Sequence, residues 1–160
     1  MIDEVISYRL ATAGDREAIR ALLDAERLPS SDLTASGVLL IAAVARDRVV
    51  GCIGVEPHGD AGIIRSLAVA PEFRGRGIAR TLVSRAETLA SKHDVRCLYL
   101  LTEGAAEFWK KAGYAAASRA EAPPAIRASA EFASLCSASA TCMQRSLLGP
   151  MAKPVAKERP

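Results

Sequence analysis

At 160 residues, half of them apolar and 24% charged, the chain has the length and composition of one soluble globular domain with a sizeable core. Its net charge of +3 is too mild to argue for a nucleic-acid partner, and no Lys/Arg-rich run lies outside a single turn. No apolar run approaches the ~20 residues of a membrane helix, and the acidic start Met1-Ile2-Asp3-Glu4 lacks a signal-peptide pattern. The expectation is therefore a cytoplasmic protein with no membrane partner.

In chain order, residues 6–10 are apolar enough for a first strand. Thr12-Ala13-Gly14-Asp15 offers a turn and a helix cap, and Ala18, Ile19, Leu22 and Leu23 recur at helical spacing. Pro29 and Ser30-Ser31-Asp32 place the end of this helix near Glu26. Residues 28–37 read as a loop or a second short helix. Residues 38–45 and 49–55 are apolar runs joined by Arg46-Asp47-Arg48, the pattern of a hairpin. A second turn, Pro57-His58-Gly59-Asp60, leads into a strand over 63–69.

Ile78, Leu82, Ala86 and Leu89 then predict one face of a helix running to about Lys92. Residues 95–101 are almost wholly apolar, so the expected strand is buried on both faces. A short helix over 105–112 is followed by Gly113, the usual place for a left-handed cap. A short strand over 114–117, a helix over 124–132 opened by Pro123-Pro124, and a last strand over 141–147 complete the domain, which spans 1–148. Residues 149–160 are expected to form a flexible tail. A strand–helix–strand crossover from 63–69 to 95–101 makes part of the sheet parallel.

The stretch around Arg74-Gly75-Arg76-Gly77-Ile78-Ala79 carries the chemistry. Glycine lets the backbone approach a ligand closely. The first amides of a helix have no internal partner and carry the positive end of its dipole. Set together, with Arg74, Arg76 and Arg80 beside them, they form a phosphate cradle. The alternative is a capped helix start with solvated arginines.

These residues resemble the acetyl-CoA motif of the GNAT superfamily of N-acetyltransferases, Arg/Gln-x-x-Gly-x-Gly/Ala. The strand Leu67-Ala68-Val69-Ala70-Pro71 before it is similar to the one that carries the cofactor's pantetheine arm in that family. A second match, Ala105-Ala106-Glu107-Phe108-Trp109-Lys110-Lys111-Ala112-Gly113-Tyr114, looks like the family's A-x-x-F-Y-x-K-x-G-F segment. Element order matches over roughly 6–148. The resemblance implies an α/β (α+β) fold with a mixed six- to seven-stranded sheet flanked by helices and a cleft where the fourth and fifth strands splay. It implies acetyl-CoA as co-substrate, no metal, a small-molecule amine as partner and a possible homodimer. Within the superfamily, Arg65-Ser66-Leu67-Ala68-Val69 is similar to a strand of N-acetylglutamate-synthase-type enzymes. Ala122-Pro123-Pro124-Ala125-Ile126-Arg127 and Glu131-Phe132-Ala133-Ser134-Leu135-Cys136 look like GNAT proteins associated with arsenic resistance, which implies an amino-bearing organoarsenical as acceptor.

The resemblance assigns the cofactor to Leu67, Ala68, Val69, Arg74, Gly75, Arg76, Gly77, Ile78, Ala79 and Arg80, with Thr102 and Phe108 beyond them. The Val69 amide is a candidate donor to the thioester carbonyl. An alkyl amine is protonated at neutral pH, so a base is needed. Glu56 is the choice because it ends an apolar strand; His58 and Asp60 lie beside it, and a base acting through water fits equally. Arg65 is a candidate clamp for an acceptor carboxylate or other oxyanion, with Ser66, Arg127 and Ser129 as further acceptor-side candidates. Alternation along 63–69 puts Arg65 on the face of Ile63, Leu67 and Val69. Trp109 stands where many family members carry a tyrosine acid, and Tyr99 and Tyr114 are substitutes or core residues. The four cysteines form no CxxC pair; Cys136 and Cys142 are either packed free thiols or a trivalent-arsenic site, and Cys52 and Cys97 read as core. Two other readings stay open: an amino-acid N-acetyltransferase, and a non-catalytic acyl-CoA-binding module.

Overall fold

The computed structural model describes residues 4–33 and 37–147. The strands are β1 (Ile6–Leu10), β2 (Leu39–Ala45), β3 (Arg48–His58), β4 (Ala61–Val69), β5 (Cys97–Thr102), β6 (Ala115–Ala116) and β7 (Thr141–Ser146). The helices are α1 (Arg16–Ala25), α2 (Ile78–Lys92), α3 (Ala106–Lys111) and α4 (Pro124–Arg127). The strands form one mixed seven-stranded sheet in the order β1-β2-β3-β4-β5-β7-β6. β4 and β5 are the parallel pair, with Ala61–Ile63 registered against Cys97–Tyr99. The element order is the one that periodicity and turn residues predict. Among the described residues no helix is long and apolar enough to cross a membrane.

The described residues fall into two compact units, one of those up to Glu56 with Ile64–Thr88, the other of Pro57–Ile63 with those from Leu89 onward. In the first unit, α1 buries Ile19 and Leu23 against Leu33, Leu40, Cys52 and Ala68. Its entry is fixed by Asp15, which accepts from the Thr12 amide at 2.8 Å and the Thr12 hydroxyl at 3.1 Å. Arg9 adds a two-pronged pair to the same carboxylate at 2.5 and 3.1 Å. These bonds hold the Asp15 carboxyl down at about 2. In the second unit, Ile63, Ala122, Ile126, Phe132 and Cys142 form a core that Tyr99 and Leu101 flank.

Three expectations are corrected. The strand predicted to stop at 55 runs on to His58, so the turn is Gly59-Asp60 and Glu56 and His58 are strand residues. Proline is tolerated at position 57 because the β2 ladder ends at Leu39↔Val55 and asks for no amide there. β5 begins at Cys97 and alternates, with Leu98 and Leu100 buried and Cys97, Tyr99 and Leu101 half-buried, so it is not sealed on both faces. The helix predicted over 124–132 ends at Arg127. A π-helical turn follows over Glu131–Leu135, with Ser129 accepting from the Phe132 amide at 3.3 Å between the two. Of the two readings of 28–37, loop or short helix, turns occupy 31–33. The expected tail lies outside the described residues.

Because Asp15 titrates lower when folded than unfolded, its pairing stabilises the fold above the usual carboxylate pKa of about 3.9 and is lost as pH falls towards about 2. The stability gap between the wild-type chain and Asp15→Asn, read from urea midpoints, is expected to be largest at pH 5–7 and to shrink steadily between about pH 4 and pH 2.

Candidate active site

The first unit holds the glycine turn. A short 3₁₀ turn over Pro71–Phe73 delivers the chain to it, with Phe73 buried. Gly75 and Gly77 have φ of +79° and +81°, and a Cβ on either would meet no atom within 4 Å. Both glycines are therefore demanded by backbone handedness, and both face open space. α2 starts immediately after, and its Thr81 amide and hydroxyl both bond the Gly77 carbonyl at 3.1 Å. The amides ahead of that first bond are those left for an anion. Arg74 donates through Nε to the Val69 carbonyl at 3.1 Å and pairs with Glu26. Arg76 lies over the Phe73 ring, 4.7 Å from its centroid. Arg74, Arg76 and Arg80 are all exposed.

β4 carries the second feature. Ser66 adopts φ +60°, a left-handed conformation uncommon for a non-glycine residue. It interrupts the strict alternation expected along 63–69: residues 63–66 are buried in succession, and Leu67 and Val69 are half-buried about the buried Ala68. The Ser66 carbonyl accepts from the buried Cys52 thiol at 3.3 Å.

Arg65 lies beside it with a fully buried side chain. Its Nη1 and Nη2 bind Asp32 at 2.6 and 2.5 Å, Nη1 also reaches Glu56 at 3.2 Å, and Nε donates to the Ser66 hydroxyl at 3.0 Å. The guanidinium offered by sequence to an acceptor carboxylate thus already holds one from its own chain. These hydrogen bonds, with the attraction of the guanidinium, lower the Asp32 carboxyl below its usual range. Asp32 escapes sequence reasoning because its partner lies 33 positions away; the one local signal, a Ser-Ser-Asp run after a proline, says only turn.

The second unit holds the remaining candidates. Thr102 ends β5, and Phe108 sits on α3, edge-on to Trp109 at 5.2 Å. Trp109 in turn packs edge-on to Tyr114 at 5.1 Å, and both are buried. Tyr99 is half-buried, and burial pushes its phenol up to about 12. Arg127 is exposed and returns its Nε to the Ala122 carbonyl at 2.9 Å. Ser129 is buried and bonded to the Ile126 carbonyl at 2.7 Å. The four cysteines form no disulfide. Burial pushes Cys52 up to about 12 and raises Cys97 and Cys142.

The family model described as "Acetyltransferase (GNAT) domain" matches residues 36–116. Over 70 residues the chain is 39% identical to an uncharacterized N-acetyltransferase, CT2212, of Chlorobaculum tepidum, covering 43% of this chain and 44% of that protein. Its fold is similar to that of N-acetylglutamate synthase from Neisseria gonorrhoeae, solved with coenzyme A and N-acetyl-glutamate: 22% identity, TM-score 0.76, 91% of this chain and 36% of the synthase. It is also similar to Rv2747 from Mycobacterium tuberculosis, solved with CoA and NLQ: 23% identity, TM-score 0.73, 88% of this chain and 98% of that one. The chain therefore spans less than half the length of the curated relative and about a third of the synthase.

Since open space surrounds a Cβ at Gly77, Gly77→Ala is penalised by backbone handedness alone. A loss of roughly 1–2 kcal/mol is expected, measured by urea unfolding without ligand.

Proposed function

Because the chain belongs to the GNAT acetyltransferase family, we propose that it is an acetyl-CoA-dependent N-acetyltransferase acting on a primary amine of a small molecule, an amino-bearing organoarsenical in particular. The observation that carries the acetyl-CoA reading is the pair of left-handed glycines in open space at the start of α2. Such a cradle fits a pyrophosphate, and a side chain at either glycine would fill it. Arg74, Arg76 and Arg80 supply charge at its rim, and the backbone of Leu67, Ala68 and Val69 pairs with the pantetheine amides. Ile78 and Ala79 open the helix behind it, and Thr102 and Phe108 are assigned to the same cofactor. The acceptor assignment rests on the likeness of 122–136 to arsenic-resistance GNAT proteins.

Acetyl-CoA supplies an activated acyl carbonyl, and the chain has three tasks around it. The Val69 amide donates to the carbonyl oxygen as charge develops there. Glu56 takes the ammonium proton, directly or through water, so that a neutral amine attacks. The departing thiolate needs no strong acid, since a thiol of pKa about 8.5 is a tolerable leaving group; Trp109 in place of a tyrosine therefore does not bar the reaction. Arg65, Ser66 and Arg127 are the residues assigned to the acceptor side. Asp32 already occupies the Arg65 fork, so an acceptor oxyanion engages Arg65 only by displacing it. The second reading, an amino-acid acceptor, is favoured by the fold likeness to a synthase solved with N-acetyl-glutamate, and its carboxylate would have to displace Asp32.

The test is thiol release from acetyl-CoA by the purified chain on a panel of amino-arsenicals, glutamate and simple amines. The expected result is turnover of an amino-arsenical, with kcat falling at least about 100-fold in Glu56→Gln. Turnover of glutamate alone, lost in Arg65→Ala, would establish the second reading. Tight acetyl-CoA binding without turnover of any amine would make the chain a binding module.

A further inference from the structure

We propose that Arg65 is a positioning residue for Glu56, and that Asp32, on the connection between α1 and β2, is the residue that sets Arg65. The inference rests on the assignment of Glu56 as base made above. A guanidinium is planar, so two edges fixed in that plane fix the whole group. Asp32 spans Nη1 and Nη2 at 2.6 and 2.5 Å, and Ser66 takes Nε at 3.0 Å from a left-handed backbone. With those edges held, the direction of the Nη1 bond to Glu56, 3.2 Å long, is set as well.

The neighbouring strand is shaped for this arrangement. Gly54 and Glu56 lie two apart on β3 and so share a face. A Cβ on Gly54 would lie 3.4 Å from Arg65 Cγ and 3.3 Å from Leu40 Cδ2. The missing side chain leaves room for the arginine stem to cross towards Glu56. Asp32 is held in turn by Leu33, its neighbour, which is buried with Ile19 and Leu23 in the first-unit core. Stability alone does not explain the cluster, because replacing buried ion pairs by apolar side chains is often neutral or stabilising. What apolar packing cannot do is hold a carboxylate in one orientation. The α1–β2 connection thereby governs a group on β3 that it reaches through β4.

Two measurements test this. The first is the orientation of the Glu56 carboxylate in crystal structures of the parent chain and its variants; it needs no acceptor amine. Arg65→Gln removes the fork and leaves Asp32, so the Glu56 carboxylate is expected to leave its parent position or to spread over more than one rotamer. In Asp32→Asn one edge of the guanidinium is no longer held by charge, and Arg65 and Glu56 are expected to shift together. A Glu56 carboxylate within about 0.5 Å of its parent position in both variants would overturn the inference, whatever the activity.

The second is kcat on the best amine of the panel, with thermal midpoints as a folding control. Arg65→Lys keeps the charge and loses the fork; a fall of about tenfold or more is expected, with acetyl-CoA affinity unchanged within about twofold. In the Glu56→Gln background the same substitution is expected to change nothing further. An equal loss in that background would also overturn the inference, while leaving Glu56 as base. Full activity in Glu56→Gln itself would remove the base assignment and the positioning role with it.

Discussion

A guanidinium buried to the last atom must be paired, and the first unit is arranged around that requirement. Arg65 draws a carboxylate from the α1–β2 connection, another from β3 and a hydroxyl from its own strand. Three stretches far apart in sequence are tied at one point by charge-assisted hydrogen bonds, the strong kind. Removing any one partner leaves a buried charge short of compensation, which costs far more than the bond itself is worth. The segments must then accommodate one another. Gly54 yields space, Ser66 accepts an uncommon backbone angle, and Leu33 anchors the turn that supplies Asp32.

The glycine turn meets a different demand. Nothing crowds Gly75 or Gly77; their identity is fixed by handedness and by the need to keep side chains out of the approach to α2. The arginines around it are tied only at the margins, Arg74 to Glu26 and Val69 and Arg76 to the Phe73 face. A buried, fully bonded arginine and three exposed ones thus divide two tasks within one unit. The first orders protein groups, and the others remain available to a phosphate-bearing ligand.

Local patterns carried most of the fold into view. Helix α2 has the limits its apolar period predicts, Gly113 has the left-handed angle its position after α3 demands, and the parallel β4–β5 pair follows from the crossover, whereas nothing local places β7 between β5 and β6. What stayed hidden was non-local or lacked a residue signature. Serine gives no warning that it will be left-handed at position 66. The break between Arg127 and Glu131 depends on a Ser129 hydroxyl replacing helical bonds, which helical spacing alone does not encode. Pro57 reads as a turn until it is known that the neighbouring strand stops at Leu39, opposite Val55. Of the proposed site, the glycine turn was legible because Arg74-Gly75-Arg76-Gly77 is a run of consecutive residues, and both glycines are left-handed. The Asp32–Arg65–Glu56 cluster was legible only in part, since two of its acids and its cation lie on different elements.

The state of the thiols has a bearing on chemical durability. Burial pushes the Cys52 thiol up to about 12 and raises Cys97 and Cys142 in the same direction. Thiolates, not thiols, attack soft electrophiles. A chain proposed to handle arsenicals therefore keeps three of its four sulfurs in the form least reactive towards trivalent arsenic.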